Sequence, residues 1–273
     1  MTHSRTDITR LLTEIGRRPR QSLGQNFVAD ANTVRRIVRL AELPAGAQVV
    51  EVGAGLGSLT LALLEAGFAV TAIEIDGDLV SVLQHVAEPR GARVVHADAM
   101  TVDWSALLGP GDEAWHLVAN LPYNIATPLV ADLLDTVPRI KTMLVMVQHE
   151  VAARLVARVG DAAYGIPSVK VAYWATARIV GRVPATVFVP KPRVESSLVR
   201  IVRRPEPATS ADRDLLFSLV RAGFGQRRKM LRRSLGDRVS AAQFEIAGIA
   251  PHARAEELSV SDWGRLASVL AER

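Results

Sequence analysis

Four short stretches carry residue types whose spacing could do chemistry. Glu-Val-Gly-Ala-Gly-Leu-Gly at 51–57 follows a β-branched run and precedes a helical pattern. Glycines there let the backbone turn tightly and approach a ligand without Cβ clashes. Glu74 ends a second apolar run, where a carboxylate can accept protons from both ribose hydroxyls. Asp76 is a weaker candidate for that task. Ala-Asp-Ala at 97–99 puts Asp98 at the end of a third run, where it can accept from an adenine amino group or simply cap a helix. Asn-Leu-Pro-Tyr at 120–123 ends a fourth run. The Asn120 side-chain oxygen and the Leu121 carbonyl can accept both protons of an exocyclic amine. Pro122 fixes φ and brings no competing N–H donor. Tyr123 offers a face on which a base can stack, which contributes ~1–3 kcal/mol at single-strand sites.

These residues need a scaffold that brings strand ends together. Strand patterns fall at Gln48–Val52, Ala69–Ile75, Arg93–His96, Trp115–Ala119 and Met143–Gln148. Helical patterns alternate with them at Ser58–Ala66, Asp78–Ala87 and Thr127–Leu134. That alternation predicts a parallel sheet covered on both faces, an α/β fold. Residues 1–30 read as a polar arm, followed by an amphipathic helix with Val34, Ile37, Val38 and Ala41 on one face and Asp30 or Asn32 as its cap. Ile166–Ala175 is apolar and ambiguous between helix and strand. Ala177–Val183 and Ser197–Val202 read as strands, and Pro205 and Pro207 as a linker. Segments 212–224, 227–235, 240–247 and 261–271 read as helices. The predicted division is an α/β domain over 1–205 with a small all-helical domain over 206–273.

Composition narrows the class. Of 273 residues, 49% are hydrophobic and 22% charged, as in a globular chain. With no cysteine, thiol catalysis, disulfides and cysteine-bearing zinc sites are excluded. No apolar run approaches the ~18 residues of a membrane helix, and the N-terminus lacks the apolar core of a signal peptide. A cytoplasmic protein without a metal site is expected. The surplus positive charge is local: residues 190–238 carry 13 basic and 5 acidic side chains, against 17 and 18 in residues 1–189. Such a block points to a polyanion.

The Gly stretch lacks the G-x-G-x-x-G spacing of a dinucleotide loop, because Ser58 stands where the third glycine belongs. It resembles the cofactor loop of class I S-adenosylmethionine methyltransferases. Asn-Leu-Pro-Tyr resembles the signature of methyltransferases that modify exocyclic amino groups. Arg-Gln-Ser-Leu-Gly-Gln-Asn-Phe-Val (20–28), Asn-Leu-Pro-Tyr-Asn-Ile (120–125), Val-Phe-Val-Pro-Lys-Pro-Arg-Val-Glu-Ser-Ser-Leu-Val (187–199) and Phe-Gly-Gln-Arg-Arg-Lys-Met-Leu-Arg-Arg-Ser-Leu (224–235) are together similar to the KsgA/RsmA family of small-subunit rRNA adenine dimethyltransferases. Val28, Ala54 and Glu195 are mild departures from its pattern.

The resemblance implies a Rossmann-like methyltransferase domain that uses S-adenosyl-L-methionine. It implies N6,N6-dimethylation of two adjacent adenosines in a 3′-terminal hairpin of 16S rRNA within the small ribosomal subunit, by a monomer. Asn26 and Val28 would close the arm over the cofactor, with Gly53 and Gly55 beside it, Glu74 on the ribose and Asp98 on the adenine. Asn120 would bridge cofactor and target, and Phe188 would sandwich the target base against Tyr123, although Phe188 could equally be a core aromatic. Arg227, Arg228, Lys229, Arg232 and Arg233, read as one short helix, would hold RNA phosphates. The rivals are an Erm-type 23S rRNA methyltransferase, a non-catalytic RNA-binding assembly factor on the same fold, and a nicotinamide oxidoreductase.

Overall fold

The structure is a computed structural model, and it describes residues 2–272. Among the described residues, nine strands and twelve α-helices are distributed over two units. The strands are β1 (Phe27–Val28), β2 (Gln48–Val52), β3 (Ala69–Glu74), β4 (Arg93–His96), β5 (Trp115–Asn120), β6 (Ile140–Gln148), β7 (Ala175–Val183), β8 (Phe188–Val189) and β9 (Ser196–Arg203). The helices are α1 (Arg5–Glu14), α2 (Ala31–Ala41), α3 (Ser58–Glu65), α4 (Gly77–Ala87), α5 (Trp104–Leu108), α6 (Ala126–Thr136), α7 (His149–Val156), α8 (Ile166–Trp174), α9 (Arg213–Gly225), α10 (Leu231–Ser234), α11 (Ala241–Ile246) and α12 (Val260–Ala271). Among the described residues no helix is long and apolar enough to cross a membrane.

The first unit contains residues up to Ala152 together with Arg178–Arg203. Its seven-stranded sheet has the order β4-β3-β2-β5-β6-β9-β7. The pairs from β4 to β6 are parallel, as the alternation of strands and helices predicts. β9, which lies beyond the alternating segment, runs antiparallel to β6 with Thr142 opposite Val202 and Gln148 opposite Ser196. β1 and β8 form a separate antiparallel pair. From β2 the chain moves outward to β3 and β4, then returns to place β5 on the other side of β2. A crevice opens at such a reversal, beyond the carboxyl ends of the strands. Gly53 and Asn120 both sit there.

Local sequence explains the elements around that crevice. Asp30 caps α2 by accepting the Thr33 N–H at 2.6 Å, and Val34, Ile37 and Ala41 turn inward. The arm of residues 1–30 is not merely polar. It contains α1, closed at its start by a reciprocal Ser4–Asp7 capping box. Ile8, Leu11 and Leu12 make one apolar face, packed with Phe27, Leu56, Leu79 and Val82. Four charged residues and three threonines in a ten-residue helix hid a three-residue stripe at i, i+3 and i+4.

The second unit contains residues 153–177 and those from Arg204 onward. The predicted boundary at 205 therefore describes only one of the crossings. Ile166–Ala175 resolves as helix α8, with Pro167 in its first turn, where a missing N–H costs nothing. Val169 and Tyr173 from α8 pack with Phe217, Phe244 and Trp263 in one apolar core. That contact with residues far along the chain draws the segment out of the α/β unit, and adjacency in sequence could not reveal it.

Candidate active site

The crevice holds a cavity of about 220 Å³. Its walls come from the Gly loop after β2, the end of β3, the turn at Ala97–Met100, the Asn120 corner and the arm segment Leu23–Val28. Glu51, Glu74 and Asp98 are on the wall; among the described residues no Lys, Arg or His is. Three carboxyl groups without a facing cation suit a positively charged ligand, beside which they ionise. This lining fits a sulfonium cofactor that also bears an ammonium group.

The glycines are required by contact. Gly53 (φ +71°) lies against Pro122, whose Cδ would stand 3.1 Å from an added Cβ. Gly55 (φ +58°) lies against the Phe27 ring, 2.9 Å from where a Cβ would be. Its N–H donates to Glu74 Oε2 at 2.8 Å, while Ile75 and Asp76 N–H groups donate to Oε1 at 3.0 and 2.9 Å. Burial pushes the Glu74 carboxyl above its ordinary range, against the pull of those three N–H groups. With Oε1 already taking two bonds, one conventional acceptor position remains, on Oε2. Gly55→Ala is expected to lose roughly 1–3 kcal/mol of stability, from the left-handed φ and the displaced Phe27 ring. It should also weaken cofactor binding. Urea unfolding and calorimetric titration with S-adenosylmethionine check both.

Asp98 Oδ1 accepts the Met100 N–H at 2.8 Å, so Oδ2 is the oxygen left to take an amino proton. Asp76 is spent elsewhere. It accepts from Gln25 Nε2 at 2.8 Å and from Arg20 Nη1 at 3.2 Å, and it caps α4. Arg20 Nη2 and Arg17 Nε both reach Asp78 Oδ2, at 2.9 and 2.8 Å. Two arginines of the arm thus anchor it to the start of α4.

The arm meets the Asn120 corner directly. Asn120 Nδ2 donates to the Asn26 carbonyl at 3.0 Å, and Asn26 Nδ2 donates to the Gly24 carbonyl at 3.0 Å. Gly24 (φ +64°) packs against Pro122. A carbonyl can only accept, so the Asn120 amide must turn its nitrogen to Asn26, which leaves Oδ1 facing the other way. Sequence placed Asn26 near the cofactor; the structure makes its backbone carbonyl the group that orients Asn120. The corner itself is held by Leu121 N–H on Met146 O (3.1 Å) and Ile125 N–H on Pro122 O (3.2 Å). Val28 lines the cavity. The half-buried Tyr123 has its hydroxyl 3.0 Å from Ser196 Oγ, which fixes the ring.

Phe188 is a core residue. It is fully buried among Val28, Val34, Val183 and Leu198 and takes no part in the cavity wall. Its strand pairs with β1, with Phe188 opposite Val28, and that register turns the ring into the core. The core-aromatic alternative is the one the fold realises.

Sequence reading gave Glu51 no role beyond the loop motif. It is 2% exposed on the cavity wall, and the Thr60 hydroxyl donates to its Oε2 at 2.6 Å. Burial, with the nearby Glu74 charge, pushes its pKa up to about 8. An acid closing an otherwise apolar strand run (Val49, Val50, Val52) was the available signal.

The family described as ribosomal RNA adenine dimethylase matches residues 16–272. This chain belongs to that family. It is 50% identical over 275 residues to the ribosomal RNA small subunit methyltransferase A of Kineococcus radiotolerans, covering 97% of this chain and 90% of that protein. Its identity to the protein of the same name from Streptomyces coelicolor is 50% over 273 residues, covering 96% and 94%. A solved dimethyladenosine transferase from Plasmodium falciparum shares the fold, with a TM-score of 0.73 at 23% identity over 87% of this chain and 94% of that one. The 23S rRNA methyltransferase ErmE superposes with a TM-score of 0.67 at 28% identity, covering 90% and 99%.

In this member of the adenine dimethylase family the basic stretch 227–235 is not one helix. Arg227–Lys229 lie in the turn after α9, and Arg232 and Arg233 on the four-residue α10. Met230, in extended backbone, separates them. Arg227 is engaged internally, on Glu256 at 2.6 Å and the Ala162 carbonyl at 2.8 Å. Arg228, Lys229, Arg232 and Arg233 are exposed.

Proposed function

We propose that this chain transfers methyl groups from S-adenosylmethionine to N6 of two adjacent adenosines near the 3′ end of 16S rRNA, as a cytoplasmic monomer acting on the small ribosomal subunit. The observation that carries the chemistry is the Asn120 amide, locked by the arm so that Oδ1 is presented as an acceptor. The adenine N6 lone pair is delocalised into the ring, so the amine is a poor nucleophile. Asn120 Oδ1 and the Leu121 carbonyl accept its two protons and hold the nitrogen nearer tetrahedral, with its lone pair free for attack. Tyr123 supplies the stacking face, and flipping the base out costs a few kcal/mol, least in an unpaired strand. The cofactor brings a methyl group already made electrophilic by its sulfonium, so positioning supplies most of the rate. Glu74, Asp98 and the Gly53–Gly55 backbone would hold it, with Glu51 facing its positive charge.

Support for a small-subunit substrate comes from the relatives at 50% identity, which are named for it, whereas the large-subunit enzyme ErmE stands at 28%. Arg228, Lys229, Arg232 and Arg233 would contact phosphates, with Arg227 bracing the turn that presents them. The test is incubation of the protein and labelled S-adenosylmethionine with small subunits that lack the modification, followed by mass spectrometric mapping. Dimethyladenosine at two neighbouring positions near the 3′ end is expected. Label on large-subunit RNA alone would favour the Erm-type reading. Tight subunit binding without label would favour an assembly factor without catalysis.

A further inference from the structure

The basic block of residues 190–238 reaches into the first unit over 190–203, but the charges of residues 1–189 nearly balance and mark no such surface on the rest of it. The fold nevertheless gathers arginines along β7, the outermost strand of the sheet. The Arg36 guanidinium lies over Gly181, where an added Cβ would stand 2.5 Å from Nη2, and Nη1 donates to the Arg182 carbonyl at 3.0 Å. Arg5 donates to the Thr186 carbonyl at 3.0 Å. Further along, Arg178 and Arg200 share Glu42, at 3.7 and 3.2 Å. Arginines from α1, α2, β7 and β9 thus gather along this strand, and among the described residues the carboxylate they meet is Glu42. Bonds to carbonyls orient the guanidinium groups of Arg5 and Arg36 without neutralising them. The row ends beside the site: Val187, just past Thr186, accepts the Ala29 N–H at 2.8 Å, next to Phe27 and Val28 of the cavity wall.

We infer that this face is a phosphate-docking surface for the rRNA backbone, leading along β7 to the rim of the cavity. The inference rests on the rRNA reading above and adds a contact surface on the methyltransferase unit itself. Arginine forks match phosphate oxygens in pairs, and Arg5, Arg178 and Arg182 are exposed. No aromatic anchor of the kind that centres a protein interface accompanies them among the side chains of β7.

The test compares two triple variants of equal charge change for binding to small ribosomal subunits across a range of salt concentrations. Arg5→Gln/Arg178→Gln/Arg182→Gln is expected to reduce the slope of log affinity against log salt by roughly two to three, about one per lost phosphate contact. Arg10→Gln/Arg90→Gln/Lys141→Gln, on other surfaces, should keep the wild-type slope. Cofactor affinity and melting temperature should match wild type in both. Arg182→Gln alone, whose backbone carbonyl still serves Arg36, should reduce the slope by about one. An unchanged slope in the first triple would overturn the inference and leave the face to an acidic protein. An equal loss in both triples would overturn it too, as an effect of net charge. Methyl transfer by the wild-type protein tests the rRNA reading separately: if it labels small-subunit RNA while the first triple keeps its slope, only the docking surface is refuted.

Discussion

Asn120→Ala should reduce single-turnover methyl transfer by at least about 10²–10³-fold, the scale seen when one preorganised polar group at a reacting centre is removed. Binding to small subunits should change little, because phosphate contacts lie elsewhere. Two functions are lost together. The amine loses an acceptor for one of its protons, and the Asn26 carbonyl loses the donor that meets it at 3.0 Å. Asn120→Asp separates them. It keeps an oxygen toward the amine but sets a second against the Asn26 carbonyl, so the arm must shift. The aspartate variant should therefore show weakened cofactor binding as well as slower transfer. Rapid-quench measurement with labelled cofactor, alongside subunit binding, distinguishes the two. Unchanged turnover in the alanine variant would sink the amine-positioning role.

That prediction draws on features legible in the sequence and on one that was not. The Gly loop, Glu74, Asp98 and the Asn120 corner are local: strand, turn and special residues fall within a few positions, and the sheet order then brings their ends together. The turn of Asn26 toward Asn120 joins residues 94 positions apart through a backbone carbonyl, which no side-chain pattern encodes. Phe188 shows the complementary failure. Its Pro-rich context fixes where the chain goes but not which face of a two-residue strand turns inward, and pairing with β1 decided that. The division into units failed for a related reason. Tyr173 and Phe217 meet edge to face with ring centroids 5.4 Å apart, and that contact assigns α8 to the helical unit despite its place in the chain. The arginine face was legible only at Arg200, which falls in the basic block; its other members come from separate elements outside that block.

Glu51→Gln should make the ligand-free protein more stable, increasingly so as pH rises. Folded, Glu51 keeps its proton up to about 8, against a reference value of 4.5. Between those values the folded chain binds one more proton than the unfolded chain, so stability falls with each unit of pH. Below 4.5 the carboxyl is protonated in both states and the two proteins should unfold alike. Above about 8 the wild type carries a buried carboxylate, and the penalty reaches on the order of 5 kcal/mol. Glutamine has the same shape and no charge, and its amide oxygen can still accept the Thr60 hydroxyl. Urea unfolding midpoints should coincide near pH 4.5 and separate steadily to pH 8.5. Glu74, also raised by burial, remains in both proteins and leaves a shared residual slope. A cationic ligand reverses the advantage. Positive charge beside Glu51 favours its ionised form, so wild-type binding of S-adenosylmethionine at pH 7 should release a proton, and the variant should bind more weakly without that release. Calorimetric titration in buffers of different ionisation enthalpy measures it. A stability difference independent of pH, or equal proton release by both proteins, would remove Glu51 as the titrating group.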